Sequence, residues 1–192
     1  MSERPESMPE TDVIDLLLRQ HAEIRRLFDE VAAADGAERT AAFDRLRRLL
    51  AVHETAEEEI VHPYARSTVK NGHKVVDARL AEENNAKQML SKLEKMGTDD
   101  AGFAHLLGEL RAAVLDHAQH EEEEEFPRIR QHATEEQLRG MAAAVKAAEA
   151  MAPTHPHPGV ESVSANLLVG PFAAMMDRTR DVIRKAVGKQ KG

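Results

Sequence analysis

Two stretches of the chain, VHETAEEEIVHP at 52–63 and DHAQHEEEEEFP at 116–127, carry residue types and spacings that could do chemistry. Laid over one another, His53 falls on His117, Glu57 on Glu121, Glu58 on Glu122, Glu59 on Glu123 and Pro63 on Pro127. Residues i and i+4 of a helix share a face, so each His-x-x-x-Glu stacks an imidazole and a carboxylate one turn apart. His53 follows Leu50 by three residues and Leu46 by seven, and Glu57 precedes Ile60 by three and Val61 by four. His117 follows Val114 by three and Leu110 by seven. Both pairs therefore sit on apolar stripes, where unpaired polar groups are costly to bury. Something must compensate for that cost.

The other helices offer partners. His21 interrupts the first apolar stripe, four residues after Leu17 and three before Ile24. Glu83 interrupts the third, three after Leu80 and seven before Leu90. A lone histidine on an apolar stripe is more often a satisfied core residue. Two His-x-x-x-Glu pairs with a shared proline, joined by His21 and an inner carboxylate, point instead to a metal site. Imidazole and carboxylate without thiolate suit iron or manganese, with zinc an alternative, and the chain has no cysteine. Three histidines and three glutamates fit two metals with bridging carboxylates better than one.

These residues need long helices to hold them. The apolar period predicts a first helix over 12–34 and a second over 38–62, with Pro63 ending or kinking it. Asn71-Gly72 reads as a turn before a third helix over 74–96, which Gly97 closes. A fourth, capped by Thr98 or Asp99, carries Phe103, Leu107, Leu110 and Val114 down to Pro127. Short links make antiparallel neighbours of these four. Thr134-Glu135-Glu136-Gln137 is a capping box that opens a fifth helix to about Met151. A proline-rich break at 152–159 and a last amphipathic helix over 171–187 follow. The expected fold is all-α: an antiparallel up-down four-helix bundle over 11–131, preceded by a disordered leader at 1–10 and followed by a C-terminal helical extension over 132–192.

The pattern of His21, His53-x-x-x-Glu57, His117-x-x-x-Glu121 resembles the hemerythrin-like proteins of the HHE cation-binding type, over about residues 12–130. The resemblance implies a four-helix bundle around two non-haem iron ions, oxo- or hydroxo-bridged, with Glu57 and Glu121 bridging and the histidines terminal. It also implies O2, peroxide or NO as the small ligand, with peroxide decomposition of a catalase-like kind among the activities. The family places a histidine on the third helix, where this chain reads AEENNAKQML. Glu83 is the expected replacement, and Glu82, on the neighbouring edge, is the alternative. A carboxylate there makes the site more ferritin-like in charge and tilts the expected chemistry from reversible O2 carriage towards peroxide or oxidation. A second functional class is an iron, oxygen or NO sensor without turnover, its state reported through the chain beyond the bundle.

Other polar residues have simpler roles. Glu124 is a candidate cavity-lining acid, because its repeat mate Ile60 faces inward, while Glu122 and Glu123 read as solvated face. Tyr64 reads as bundle-end packing, His62 and His132 as exposed helix-end residues, and His155 and His157 as parts of a turn-rich linker. A net charge of −8 disfavours nucleic acid or an anionic membrane surface as partner. With no 18-residue apolar run and no signal-peptide core, the expected location is the cytoplasm.

Overall fold

The computed structural model describes residues 12–151 together with Asp177, Arg180 and Asp181. The expected leader, the proline-rich break and all but those three residues of the last helix lie outside the described residues. Everything regular among the described residues is helical, as the composition and periodicity require. α1 spans Val13–Ala33, and its N-cap Asp12 accepts a hydrogen bond from the Asp15 amide at 2.8 Å. α2 spans Gly36–Ala56, a π-helical turn π1 follows at Glu57–Val61, and α3 continues over His62–Thr68. α4 spans Gly72–Met96 and α5 Phe103–His120. A second π turn, π2, covers Glu121–Glu125 and leads into α6 at Phe126–His132, and α7 covers Glu135–Met151.

The repeat seen in the sequence is thus a repeat of an irregularity. Both π turns begin at the glutamate of a His-x-x-x-Glu pair and end two residues before the shared proline. A proline brings no N–H and drives its ring at the carbonyl four residues back, so a regular α-helix cannot run through it undisturbed. The wide turn absorbs that conflict, with the His62 amide bonded to Glu57 and the Phe126 amide to Glu121, five residues back in each case. Helices two and four therefore do not stop at Pro63 and Pro127 but run on as α3 and α6. The capping expected of Thr98 or Asp99 is also replaced. Gly102 precedes α5, its amide bonded to Asp100 Oδ1 at 2.7 Å, and Thr98 Oγ1 pairs with Thr40 Oγ1 at 2.7 Å. The capping box of α7 forms as expected: Gln137 N donates to Thr134 Oγ1 at 3.2 Å and Thr134 N to Gln137 Oε1 at 2.9 Å.

The bundle packs α1 against α2 and α5, and α4 against α5 and α3, while α7 lies along α1. Asn71 turns the chain in the left-handed conformation (φ 60°). A Cβ on the following Gly72 would collide with the carbonyl oxygen of Ala65, so the close start of α4 against α3 requires glycine. The apolar interior has two parts. One holds Ile24, Phe28, Leu46, Leu50, Leu90, Phe103, Leu110 and Val114. The other holds Leu17, Ala56, Val61, Val76, Phe126 and Ile129, with Leu138 and Val145 added from α7. His21, His53, Glu83 and His117 all lie in sequence between a residue of one part and a residue of the other. A polar layer is sandwiched between two apolar ones.

Candidate metal centre

Each histidine of this layer is held from behind by an oxygen. His21 Nδ1 donates to Glu122 Oε1 at 2.8 Å, which Arg25 also engages at 3.0 Å. His53 Nδ1 donates to Gln20 Oε1 at 2.8 Å, and His117 Nδ1 to Glu82 Oε2 at 3.0 Å. A carboxylate or amide oxygen can only accept, so a proton sits on Nδ1 of each ring and Nε2 is the nitrogen that faces inward. Histidines that bind metals are fixed in this manner, by a carbonyl or carboxylate on the other ring nitrogen.

The inward nitrogens meet carboxylates. His21 Nε2 lies 3.1 Å from His53 Nε2 and 3.3 Å from Glu121 Oε2, and His53 Nε2 lies 3.2 Å from Glu57 Oε1. His117 Nε2 lies 3.4 Å from Glu121 Oε2 and 3.9 Å from Glu57 Oε2. Glu57 and Glu121 are wholly buried, yet none of their four carboxyl oxygens has a hydrogen-bond partner, and neither has His117 Nε2. Buried acceptors left bare are rare and expensive. One ligand atom each from His21, His53, Glu57 and Glu121 lies within 4.8 Å of the others, and so do atoms from Glu57, Glu83 and His117. Two neighbouring cations that share Glu57 would satisfy every bare atom just named, so the donor set fits a carboxylate-bridged pair.

The electrostatics agree. Burial, then the facing charge of Glu121, push the Glu57 carboxyl well above its ordinary range. Burial raises Glu121 too, but the charges and hydrogen bonds of His117 and His21 overcome it and hold that carboxyl at about 2. Two carboxylates this close do not both ionise without positive charge between them. Burial, then His21, lower His53 and keep its lone pair available.

The six expected donors, His21, His53, Glu57, Glu83, His117 and Glu121, are all buried in this layer. Glu83 points inward and Glu82 takes the outer role behind His117, with His120 Nδ1 at 3.0 Å from its other oxygen. Three simpler readings need correction. His62 is not exposed: it is 2% accessible, with Nε2 at 2.7 Å from Glu83 Oε1 and Nδ1 at 3.0 Å from Glu125 Oε1. Burial lowers its pKa, but the bonds to Glu125 and Glu83 prevail and lift it to about 11. Glu124 is exposed, and the inner acid is Glu125. Glu122 is no mere surface charge, since it holds His21. Tyr64 does sit at the bundle end, donating to Gln137 Oε1 at 3.3 Å, and His132 is exposed. His155 and His157 lie outside the described residues.

Regular helix geometry hides His62. Nine residues at roughly 100° each put it opposite His53, and only the extra residue of π1 swings it round. Glu125 could have been found, because its repeat mate Val61 lies on the apolar stripe. Beside the donors is a small cavity of about 10 Å³, lined by His21, His53, Glu54, Glu83 and His117 on its polar side. That is roughly the room one water molecule needs.

The model of the hemerythrin HHE cation binding domain family matches residues 12–129. The chain is 25% identical to an uncharacterized hemerythrin-like protein of Schizosaccharomyces pombe, over 91% of this chain and 88% of that one. It is also 25% identical to a DNA nickase of Nostoc, over 72% of this chain but 39% of the nickase. Among solved structures, a hemerythrin HHE cation binding domain-containing protein from Mycobacterium kansasii superposes with a TM-score of 0.65 at 20% identity, covering 88% of this chain and 99% of that one.

Proposed function

Because the chain belongs to the hemerythrin HHE cation-binding domain family, we propose that it is a non-haem di-iron protein that binds O2 or peroxide and decomposes hydrogen peroxide. The observation that carries this reading is the set of four bare, fully buried oxygens of Glu57 and Glu121 ringed by inward imidazole nitrogens. Glu57 and Glu121 would be the shared carboxylates, His21 and His53 would hold one ion, and His117 and Glu83 would hold the other. Two irons side by side would give two electrons to one peroxide, which with two protons becomes water, and take two electrons back from a second, which leaves as O2. The protein's own part is to orient and to exclude. Gln20, Glu122 and Glu82 fix the imidazole rings. The apolar layers on both sides keep water and larger molecules away. The small cavity beside His53, Glu54 and His117 has room for little more than one water-sized group and so admits only a small ligand. No described helix is long and apolar enough to cross a membrane.

The test is turnover: peroxide added to iron-loaded protein should release one O2 for every two peroxides consumed. His53→Ala and His117→Ala should lose that release together with the visible absorption of the loaded protein. Loaded protein that neither changes its spectrum with peroxide nor releases O2 sinks the catalytic part.

One contact favours a sensing role as the second reading. Arg180 donates to Glu59 at 2.7 Å and to Glu58 at 3.2 Å, directly after bridging Glu57 in π1. A change at the centre would reach the chain beyond the bundle through these bonds. Protease cleavage near Arg180 that is the same with and without iron would count against it.

A further inference from the structure

Four buried histidines, not three, share one arrangement. His62 resembles His21, His53 and His117 in that Nδ1 donates to a side-chain oxygen, here the buried Glu125 Oε1 at 3.0 Å, and Nε2 faces a carboxylate of the polar layer, here Glu83 Oε1 at 2.7 Å. We propose that His62 is a fourth imidazole ligand of the metal centre and that Glu125 is its positioning residue. The proposal rests on the di-iron reading above and adds to it a ligand outside the His-x-x-x-Glu pattern.

Three observations support it. First, His62 lies between two groups already assigned to the centre. Glu83 is on its Nε2 side, and ligand atoms of His62, Glu121 and Glu125 lie within 4.8 Å of one another. Second, Glu125 is fully buried and, although its Oε1 bonds to His62, its Oε2 has no hydrogen-bond partner. Third, the third helix brings a single inward donor. One turn before Glu83 stands Arg79, buried and paired with Glu82 at 3.2 Å, which cannot bind a cation. π1 remedies this shortage from the second helix by rotating His62 onto the inner face. The two halves of the repeat divide the task. Val61 and His62 in one half stand where Glu125 and Phe126 stand in the other, so each half places one polar and one apolar side chain where its π turn passes into the next helix.

The experiment counts ligands directly. Protein labelled with ¹⁵N at histidine and loaded anaerobically with ferrous iron should show four paramagnetically shifted imidazole N–H resonances, one for each Nδ1–H. His62→Gln should remove one of the four. Glu125→Gln should move that same resonance and speed iron loss to a chelator by about tenfold, as loss of a carboxylate behind a ligating histidine does. His132→Gln should change neither. Three shifted resonances in the wild type, or four that all persist in His62→Gln, overturn the proposal even if two irons are bound. If His62→Gln does not fold, the wild-type count and the Glu125→Gln shift decide. A wild type that takes up no iron is a different result: it refutes the di-iron reading itself.

Discussion

Replacing Glu57, a bridging carboxylate in the proposed centre, should make the metal-free protein more stable while abolishing its response to iron. Glu57 is fully buried, and both of its oxygens lack hydrogen bonds. A buried polar group left unsatisfied costs about 1–3 kcal/mol. Glu57→Met keeps an unbranched side chain of similar length and removes that cost, along with the repulsion from Glu121. An apo-state gain of about 2 kcal/mol follows, which for a chain of this size raises Tm by about 4–8 °C. In the wild type, ferrous iron at a hundred times its Kd adds about 2.7 kcal/mol, and the variant should gain little of this. Helical circular dichroism followed through thermal unfolding, with chelator and with anaerobic ferrous iron, reads both effects. An apo variant that melts below the apo wild type would refute the account of Glu57 as a carboxylate kept at the expense of stability. A variant that iron stabilises as much as the wild type would refute its bridging role.

Gly72→Ala should destabilise by about 2 kcal/mol or more, because its Cβ meets the Ala65 carbonyl; urea unfolding measures it. Glu82→Ala should loosen iron binding by about 10- to 100-fold without unfolding the bundle, since His117 loses the acid that orients it; competition with a chelator reads the change. Glu54 gives a pH signature. Burial, then the charge of Glu83, raise its carboxyl to about 8 from 4.5. A raised folded pKa means stability fully present below the unfolded value and lost as pH climbs through the folded one. The metal-free wild type should therefore lose stability relative to Glu54→Gln between about pH 4.5 and pH 8, and a constant difference in denaturation midpoint across that range would contradict it.

Much of the centre was legible because helical spacing is rigid. His21, Glu83 and the two His-x-x-x-Glu pairs interrupt apolar stripes at positions that a straight helix must turn inward. The capping box at Thr134 was legible for a similar reason, since it is local chemistry completed within four residues. What escaped depended on departures from regularity. Pro63 read as an end or a kink and Pro127 as an end, yet both sit just beyond wide turns that let the helix continue. Because π1 shifts the register by one residue, His62 lands inside although a regular count puts it outside. Glu122 and Glu82 escaped for another reason. Their partners, His21 and His117, lie on other helices, and no spacing within one helix reveals a hydrogen bond across the bundle. The small cavity beside Glu54 belongs to the same class, being made by side chains of all four long helices.

The most direct test of the centre is an anaerobic titration of the apo protein with ferrous iron, followed by Mössbauer spectroscopy of the oxidised product. The account predicts two irons per chain, magnetically coupled through the bridging carboxylates, and loss of the coupling when Glu57 or Glu121 is replaced. A folded protein that binds no iron, or binds ions that remain uncoupled, would contradict it.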